Sequence, residues 1–175
     1  MAKSPAASVN RRTDIISAAI EVFAEIGYYR ATTAKVAERA QISQPYVFRF
    51  FASKEDLLKE ALEVSWTRII EAFRAVIDTA GPEQLESELI KAYENILESY
   101  QNETLLQMQA QTIKEGAVVE VMQNGFREVH QIVLGAFQKA GLASPEEKTF
   151  LFLARGMLCN ISMALSLPEL MLGHR

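Results

Sequence analysis

The chain has 175 residues, of which 49% are hydrophobic, 23% charged and 9% aromatic, and its formal net charge is −4. With 8 Gly and 5 Pro it is neither collagen-like nor of low complexity, and its apolar content excludes a wholly disordered chain. The single cysteine, Cys159, cannot form an internal disulfide or a multi-cysteine zinc site. We therefore expect a folded protein of a reducing compartment, stabilised by packing alone.

The sequence gives no sign of a membrane or export segment. No stretch approaches the roughly 20 consecutive apolar residues that a membrane helix needs. The first residues, MAKSPAASVNRR, are polar or small and lack the apolar core of an export signal. We expect a cytoplasmic protein without a membrane partner.

The charge is unevenly distributed along the chain. The residues up to Lys54 include eight basic and four acidic side chains and so carry +4, which leaves −8 on the remainder. A basic first third on an acidic body suggests a polyanionic partner for the first third only.

Apolar residues recur at spacings of three and four with no sustained alternation, which predicts an all-α fold. The first predicted helix runs from about Asn10 to Ile26 and is ended by Gly27. Three further starts are predicted from N-cap residues, at Thr32 or Thr33, at Ser43 and at Ser53. After a break at Gly81-Pro82, helices are expected near 83–101 and 103–113. A stop around Gly116 is followed by a long helix to about Ala140 and by a last helix after Ser144-Pro145 that ends near Pro168.

This pattern divides the chain into a tail (1–9), a three-helix head (10–52) and a helical body (53–175), with the fourth helix continuous between head and body. Within the head, two short helices are joined by the tight turn Gln41-Ile42-Ser43, which is a helix-turn-helix arrangement. The second of these helices is polar or aromatic on one side from Ser43 to Arg49, while Val47 points inward. An ordinary helical hairpin with a solvated face has the same spacing, so the spacing alone leaves both interpretations open.

Residues 14–58, DIISAAIEVFAEIGYYRATTAKVAERAQISQPYVFRFFASKEDLL, resemble the DNA-binding domain of the TetR (tetracycline repressor) family of bacterial transcription regulators. The similarity includes the Thr-Thr opening of the second helix, the Ser-Gln-Pro start of the third, and Ser53-Lys54-Glu55 entering the fourth. It implies a DNA-binding function for the head.

The resemblance also implies roles for individual residues. Thr32, Thr33 and Lys54 match phosphate-binding positions, and Tyr46 matches one that faces phosphate or base. Gln44 and Pro45 match the start of the base-reading helix, where the Gln44 amide can bond adenine bidentately and Pro45 can contact a thymine methyl. The expected DNA-binding residues are Thr32, Thr33, Ser43, Gln44, Pro45, Tyr46, Phe48, Arg49 and Lys54.

Three positions depart from the family pattern. Gln41 stands where Gly is usual, so it must adopt a left-handed conformation unless the turn is built differently. Phe48 stands where Tyr is usual, which removes a hydroxyl that normally meets phosphate. Phe50 replaces His or Tyr, and Arg49 can restore a lost contact through its charge.

The last helix predicts a subunit interface. Apolar residues wrap most of the circumference of residues 146–167, EEKTFLFLARGMLCNISMALSL, so this helix needs a second partner besides its own core. Either a second subunit or complete burial in a monomer would satisfy this pattern. The resemblance implies a homodimer, and the expected interface residues are Phe150, Leu153, Met157, Ile161 and Ala164.

The resemblance further implies a small apolar or amphipathic effector that binds in the body and weakens binding to a palindromic operator. The expected lining residues are Trp66, Phe73, Tyr93, Tyr100, Met108, Gln111, Met122, Phe126 and His130. Core packing is the alternative role for each of them. Gln107, Gln109 and Gln111 are equally compatible with a solvated helix face, and Cys159 with either an oxidant sensor or inert packing.

The sequence does not favour an enzyme. It has two histidines, one cysteine and no Gly-rich phosphate loop or HExxH pair, so we expect no catalytic site, no metal and no cofactor. Together with the resemblance, these features predict a homodimeric, ligand-responsive repressor; an activator is the other regulatory role that the sequence leaves open. The alternative is a ligand-binding or protein-interaction module whose DNA-binding head is weakened.

Overall fold

The computed structural model describes residues 5–171, with side chains from residue 10 onward. These residues form eight α-helices and a final turn of 3₁₀ helix, and the described part contains no strand. The helices are α1 (Pro5–Ile26), α2 (Thr33–Arg39), α3 (Gln44–Val47), α4 (Lys54–Thr79), α5 (Leu85–Ser99), α6 (Gln101–Ala110), α7 (Gly116–Lys139) and α8 (Pro145–Leu165), followed by the 3₁₀ turn Pro168–Leu170. The predicted all-α fold is confirmed.

Three helix boundaries follow local capping chemistry, at Gly27, Thr32 and Ser53. The Thr32 hydroxyl accepts a hydrogen bond from the Lys35 N–H at 3.3 Å, and that of Ser53 accepts one from the Asp56 N–H at 2.9 Å. Both bonds satisfy N–H groups that the first turn of a helix leaves open. Gly27 ends α1 in the left-handed region, at φ +77°.

Helix α1 begins earlier than the sequence analysis predicted. It starts at Pro5 instead of Asn10, so residues 5–9 of the predicted tail are helical, and residues 1–4 lie outside the described residues. Proline is favoured at the first helical position, where its missing N–H costs nothing, and two alanines follow it.

Helix α4 connects head and body without a break. Its first turns pack against α1, and the rest packs against α5, α6 and α7. Phe23, Val36, Val47 and Leu57 are fully buried in the head, while Phe73 and Phe137 are fully buried in the body. One continuous helix therefore contributes to both cores.

No helix within residues 5–171 combines the length and apolarity needed to cross a membrane. Across the same residues, His, Cys, Asp and Glu side chains nowhere gather in a group of three that could hold a metal ion.

Candidate nucleic-acid interface and ligand cavity

The turn between α2 and α3 fixes the helix-turn-helix geometry. Gln41 adopts φ +54°, so this glutamine takes the left-handed conformation expected where the family usually has glycine. The N–H of Ile42 reaches back to the Ala37 carbonyl at 2.9 Å and closes the end of α2. Val36 and Val47 are both fully buried in the core, and α2 packs against both α1 and α3.

Helix α3 is shorter than predicted, but its exposed face is as expected. It covers only residues 44–47 and continues as turns through Phe50. Gln44, Pro45, Phe48 and Arg49 are exposed, whereas Val47 is buried. Ser43 occupies the N-cap position, but among the described residues its hydroxyl makes no capping bond.

The two threonines at the start of α2 have different environments. Thr32 is exposed and caps the helix. Thr33 is only 7% exposed, and its hydroxyl accepts a 2.9 Å hydrogen bond from Nε2 of Gln44. The structure therefore turns the Thr33 side chain toward α3, which differs from the phosphate role expected for it.

Aromatic and cationic groups adjoin on the third helix. The guanidinium carbon of Arg49 lies 5.5 Å from the centre of the Tyr46 ring, and Tyr46 meets Phe50 edge-on with 5.4 Å between centroids. Phe50 and Tyr46 are both half-buried. The exposed Arg49 guanidinium is therefore held by a cation–π contact with the Tyr46 ring.

Lys54 has a structural partner that the sequence analysis did not anticipate. Its Nζ donates to the carbonyl oxygens of Tyr28 at 2.8 Å and Ala31 at 3.2 Å, and lies 4.2 Å from the Tyr28 ring centre. Two of its three N–H groups thus secure the loop between α1 and α2. Its predicted phosphate contact has to be made from this partly buried position.

Several of the cations in the head are paired within the protein. Arg12 forms a bidentate pair with Glu60 of α4, and Arg39 bonds both Glu21 and Glu25 of α1. The hydrogen bonds from these arginines lower the pKa values of Glu60 and Glu25. Lys35 and Arg49 are exposed on the helix-turn-helix itself. Arg12 and Arg39 are therefore neutralised within the protein, and Lys35 and Arg49 supply positive charge on the helix-turn-helix.

The body contains an apolar cavity between α4, α5, α6, α7 and α8. The volume of this cavity is about 60 Å³. Five of the nine expected lining residues do line it, namely Trp66, Phe73, Tyr93, Gln111 and Phe126.

The other four expected residues lie elsewhere. Tyr100 is exposed and lies beneath Arg68, whose guanidinium carbon is 4.3 Å from the ring centre. His130 is exposed on α7, and Met122 lines a separate groove with Gln123. Met108 is half-buried on α6 and does not line the cavity. These four residues do not line this cavity, because the rotation of each helix about its axis is set by tertiary packing.

Polar groups enter the cavity at few points. The Tyr93 hydroxyl donates to Oδ1 of Asn160 at 2.8 Å, and burial raises the pKa of Tyr93 to about 12. Gln107 donates to the Ser65 hydroxyl at 2.6 Å. Arg155, which is half-buried, also lines the cavity, and its Nη2 lies 3.5 Å from Oε1 of Glu94. Asn160, Gln107 and Arg155 were not among the expected lining residues, although single polar residues in apolar helices are the signal that would have indicated them.

Gln107 and Gln109 of α6 and Gln111, the residue that follows α6, do not together form a solvated face. Gln107 is buried, and Gln109 donates to the Ala24 carbonyl of α1 at 2.9 Å. Only Gln111 is exposed, and it borders the cavity.

The outer face of α8 is apolar and open in the single chain. Phe150 is 69% exposed and Ile161 is 38% exposed, and Ala164 is also exposed. Leu153 and Met157 were expected in the interface, but both are half-buried and line the cavity. The exposed large apolar residues of this helix are Phe150, Leu151, Leu158, Ile161 and Leu165.

Comparison with known proteins identifies the head. Residues 15–61 match the sequence profile described as "Bacterial regulatory proteins, tetR family". Over 48 residues, 27% of this chain and 21% of the relative, it is 42% identical to the HTH-type transcriptional regulator HbdR of Aromatoleum sp. (strain CIB). Over 106 residues, 59% of this chain and 53% of the relative, it is 30% identical to the HTH-type transcriptional repressor KstR2 of Mycobacterium tuberculosis. The chain thus spans between about a fifth and a half of the length of these curated relatives.

The fold is similar over nearly the whole length. The structure of FadR from Bacillus subtilis in complex with stearoyl-CoA superposes with a TM-score of 0.75, covering 88% of each chain at 18% identity. The helix-turn-helix head thus matches the tetR family of bacterial regulatory proteins over residues 15–61, and the all-helical fold of the chain is similar to that of FadR.

Proposed function

We propose that this protein is a cytoplasmic, homodimeric transcriptional repressor that binds a palindromic DNA operator and is released by a small apolar or amphipathic effector. The observation that carries the proposal is the exposed face of α3, with Gln44, Pro45, Phe48 and Arg49 on a helix that Val47 fixes to the head core. A second helix of this kind enters the major groove and presents its first residues to base edges.

Gln44 is the main candidate for hydrogen bonding to a base. Its bond to Thr33 uses one of the two amide N–H groups, and an adenine needs one N–H and the carbonyl oxygen. The Thr33 hydroxyl can therefore hold the amide in place while Gln44 reads the base.

The outer face of α8 supports the homodimer. Five large apolar side chains on one helix remain at least one-third exposed in the single chain. A second copy packed about a two-fold axis would bury this face and present two heads to the two halves of a palindrome. We assign residues 10–52 to DNA binding and residues 53–175 to dimerisation and effector binding.

The cavity supports an effector with an apolar body and a polar end. Its lining is mainly aromatic and aliphatic, with Gln111 and Arg155 at its exposed edge. FadR was solved with stearoyl-CoA, an amphipathic molecule with a long apolar chain. The cavity of this chain is too small for such a molecule as it stands, so binding would have to move lining side chains such as Phe126, which is 38% exposed.

Helix α6 provides a route from the cavity to the head. Gln107 lines the cavity and bonds Ser65 of α4, while Gln109 of the same helix bonds the Ala24 carbonyl near the end of α1. An effector that displaces α6 would strain both connections. It would release DNA only to the extent that it binds the displaced state more tightly.

Selection of DNA sites from a randomised pool tests the proposal. We expect the wild-type protein to enrich a palindrome, and Gln44→Ala to lose roughly 1–3 kcal/mol of discrimination at one base of each half-site. A titration of fatty acids, their coenzyme A thioesters and neutral apolar compounds against the bound operator would then identify the effector class. Failure to enrich any site would favour the alternative function, a ligand-binding or interaction module with a weakened head.

A further inference from the structure

The exposed face of the third helix carries an apolar group besides its polar ones. Phe48 follows Gln44 by four residues and Pro45 by three, and as the residue that ends α3 it stays in the right-handed backbone region, at φ −65° and ψ −7°. Residues at these spacings share one side of a helix. Its side chain is 49% exposed, whereas Phe51 is buried in the head.

The chemistry of a phenyl ring limits the contacts that Phe48 can make with DNA. A benzyl side chain has no hydrogen-bonding atom, so it can neither donate to a phosphate nor pair with a polar base edge. It gains free energy only by covering apolar surface. In the major groove the apolar group on the base edges is the C5-methyl of thymine.

The spacing limits which base can be involved. Four residues of helix rise about 6 Å along its axis, and base pairs are about 3.4 Å apart. If α3 lies along the groove, Phe48 reaches a base about one or two pairs away from that contacted by Gln44.

We propose that Phe48 determines specificity by packing against the methyl group of one thymine in each half-site. The inference rests on the proposed function and adds a contact that is distinct from those of Gln44 and Pro45. Arg49, its exposed neighbour, supplies charge and not this methyl contact.

Replacement of thymine by uracil tests the contact, because it removes only the methyl group. Each thymine of the selected operator is replaced in turn, in both half-sites together, and the affinities of the wild type, Phe48→Ala and Arg49→Ala are measured. For the wild type we expect one position to weaken binding about fourfold per half-site, the change for one buried methyl group. Phe48→Ala should bind the unmodified site more weakly and be insensitive to uracil at that position only.

Arg49→Ala is the matched control, since it neighbours Phe48 on the same exposed surface. It should weaken binding while leaving the uracil profile of the wild type unchanged. Circular dichroism and thermal unfolding of each variant would show that the head is folded, as expected for substitution of exposed side chains.

The outcomes separate the two claims. If a palindrome is enriched but Phe48→Ala keeps the wild-type uracil profile, or if no thymine lies within two pairs of the base read by Gln44, the Phe48 contact is refuted and the proposed function stands. If no DNA site is enriched, both are refuted.

Discussion

Nε2 of Gln44, the first residue of the recognition helix, donates a 2.9 Å hydrogen bond to the Thr33 hydroxyl at the start of the preceding helix. The two residues are eleven positions apart in the chain. The bond crosses the helix-turn-helix, and it joins a buried hydroxyl to an exposed amide. We therefore expect Thr33 to position the Gln44 amide, whereas the phosphate contact expected of its hydroxyl stays a prediction.

Thr33→Val should loosen the discrimination of DNA sequence without abolishing binding. Valine fills the same volume but cannot accept from Gln44, so the amide loses its fixed orientation. We expect a loss of about 1 kcal/mol, the typical net value of one hydrogen bond, at the base that Gln44 reads. Competition binding with single-base variants of the operator measures this loss. Thr33→Ser keeps the hydroxyl and should behave as the wild type, so equal effects of Val and Ser would refute the positioning role.

Lys54→Met should destabilise the head as well as weaken DNA binding. The variant keeps the apolar stem but removes the ammonium that bonds the Tyr28 and Ala31 carbonyls. Loss of hydrogen bonds from a charged donor is expected to lower the free energy of unfolding by about 1–3 kcal/mol. Urea denaturation measures this change. Lys35→Met, at an exposed site on α2, is the control and should unfold as the wild type. Unchanged stability of Lys54→Met with weaker binding to every DNA would instead favour a pure phosphate contact.

Ile161→Glu should dissociate the dimer. The residue is exposed in the single chain, so the monomer can accept the charge, but a subunit interface would have to bury it. By sedimentation at micromolar concentration, we expect the wild type at twice its chain mass of 19.6 kDa and the variant near the single-chain mass. Ala75→Glu, on the exposed face of α4, should remain dimeric. A wild-type species at the single-chain mass would disprove the proposed dimer.

Gly125→Ala should destabilise the body. A Cβ at this position would lie 2.5 Å from Cγ of Trp66 and closer still to Cδ2 and Cε2 of the same ring. The indole would have to leave its site against α7, at a cost of about 1–3 kcal/mol. Gly135→Ala is the matched control on the same helix, since its Cβ would meet no atom within 4 Å. There we expect a gain of roughly 0.5–1 kcal/mol from the improved helix propensity. Thermal unfolding that ranks the variants in the opposite order would contradict this packing.

Cys159 should react slowly with thiol reagents. Burial raises the pKa of its thiol, so at pH 8 the fraction of reactive thiolate is smaller than in the unfolded chain. We expect reaction with a disulfide reagent to be slower by on the order of tenfold or more than in urea, and its rate to keep rising to higher pH than that of the unfolded chain. Cys159→Ser reports the background rate. Fast reaction of the folded protein near pH 7 would contradict this prediction and favour a role of Cys159 as an oxidant sensor.

Local signals determined most of the architecture. The spacing of apolar residues predicted an all-α chain, and Thr32, Ser53 and Gly27 marked helix ends, because capping depends on residues within one turn. For Gln41 the resemblance left open a left-handed conformation or a differently built turn, and the structure has the left-handed conformation. The start of α1 was misplaced because Pro5 favours a first helical turn as readily as it ends a tail.

The sequence by itself indicated that this protein is helical, that its first third carries a DNA-binding motif, and that its last helix is apolar around most of its circumference. Only the tertiary structure decided which face of each helix points where. It placed Tyr100 and His130 outside the cavity, turned Leu153 and Met157 into it, and directed Thr33 and Lys54 to internal partners. The physical reason is that a helical repeat fixes which residues share a face, whereas the rotation of that face depends on contacts with helices distant in the chain.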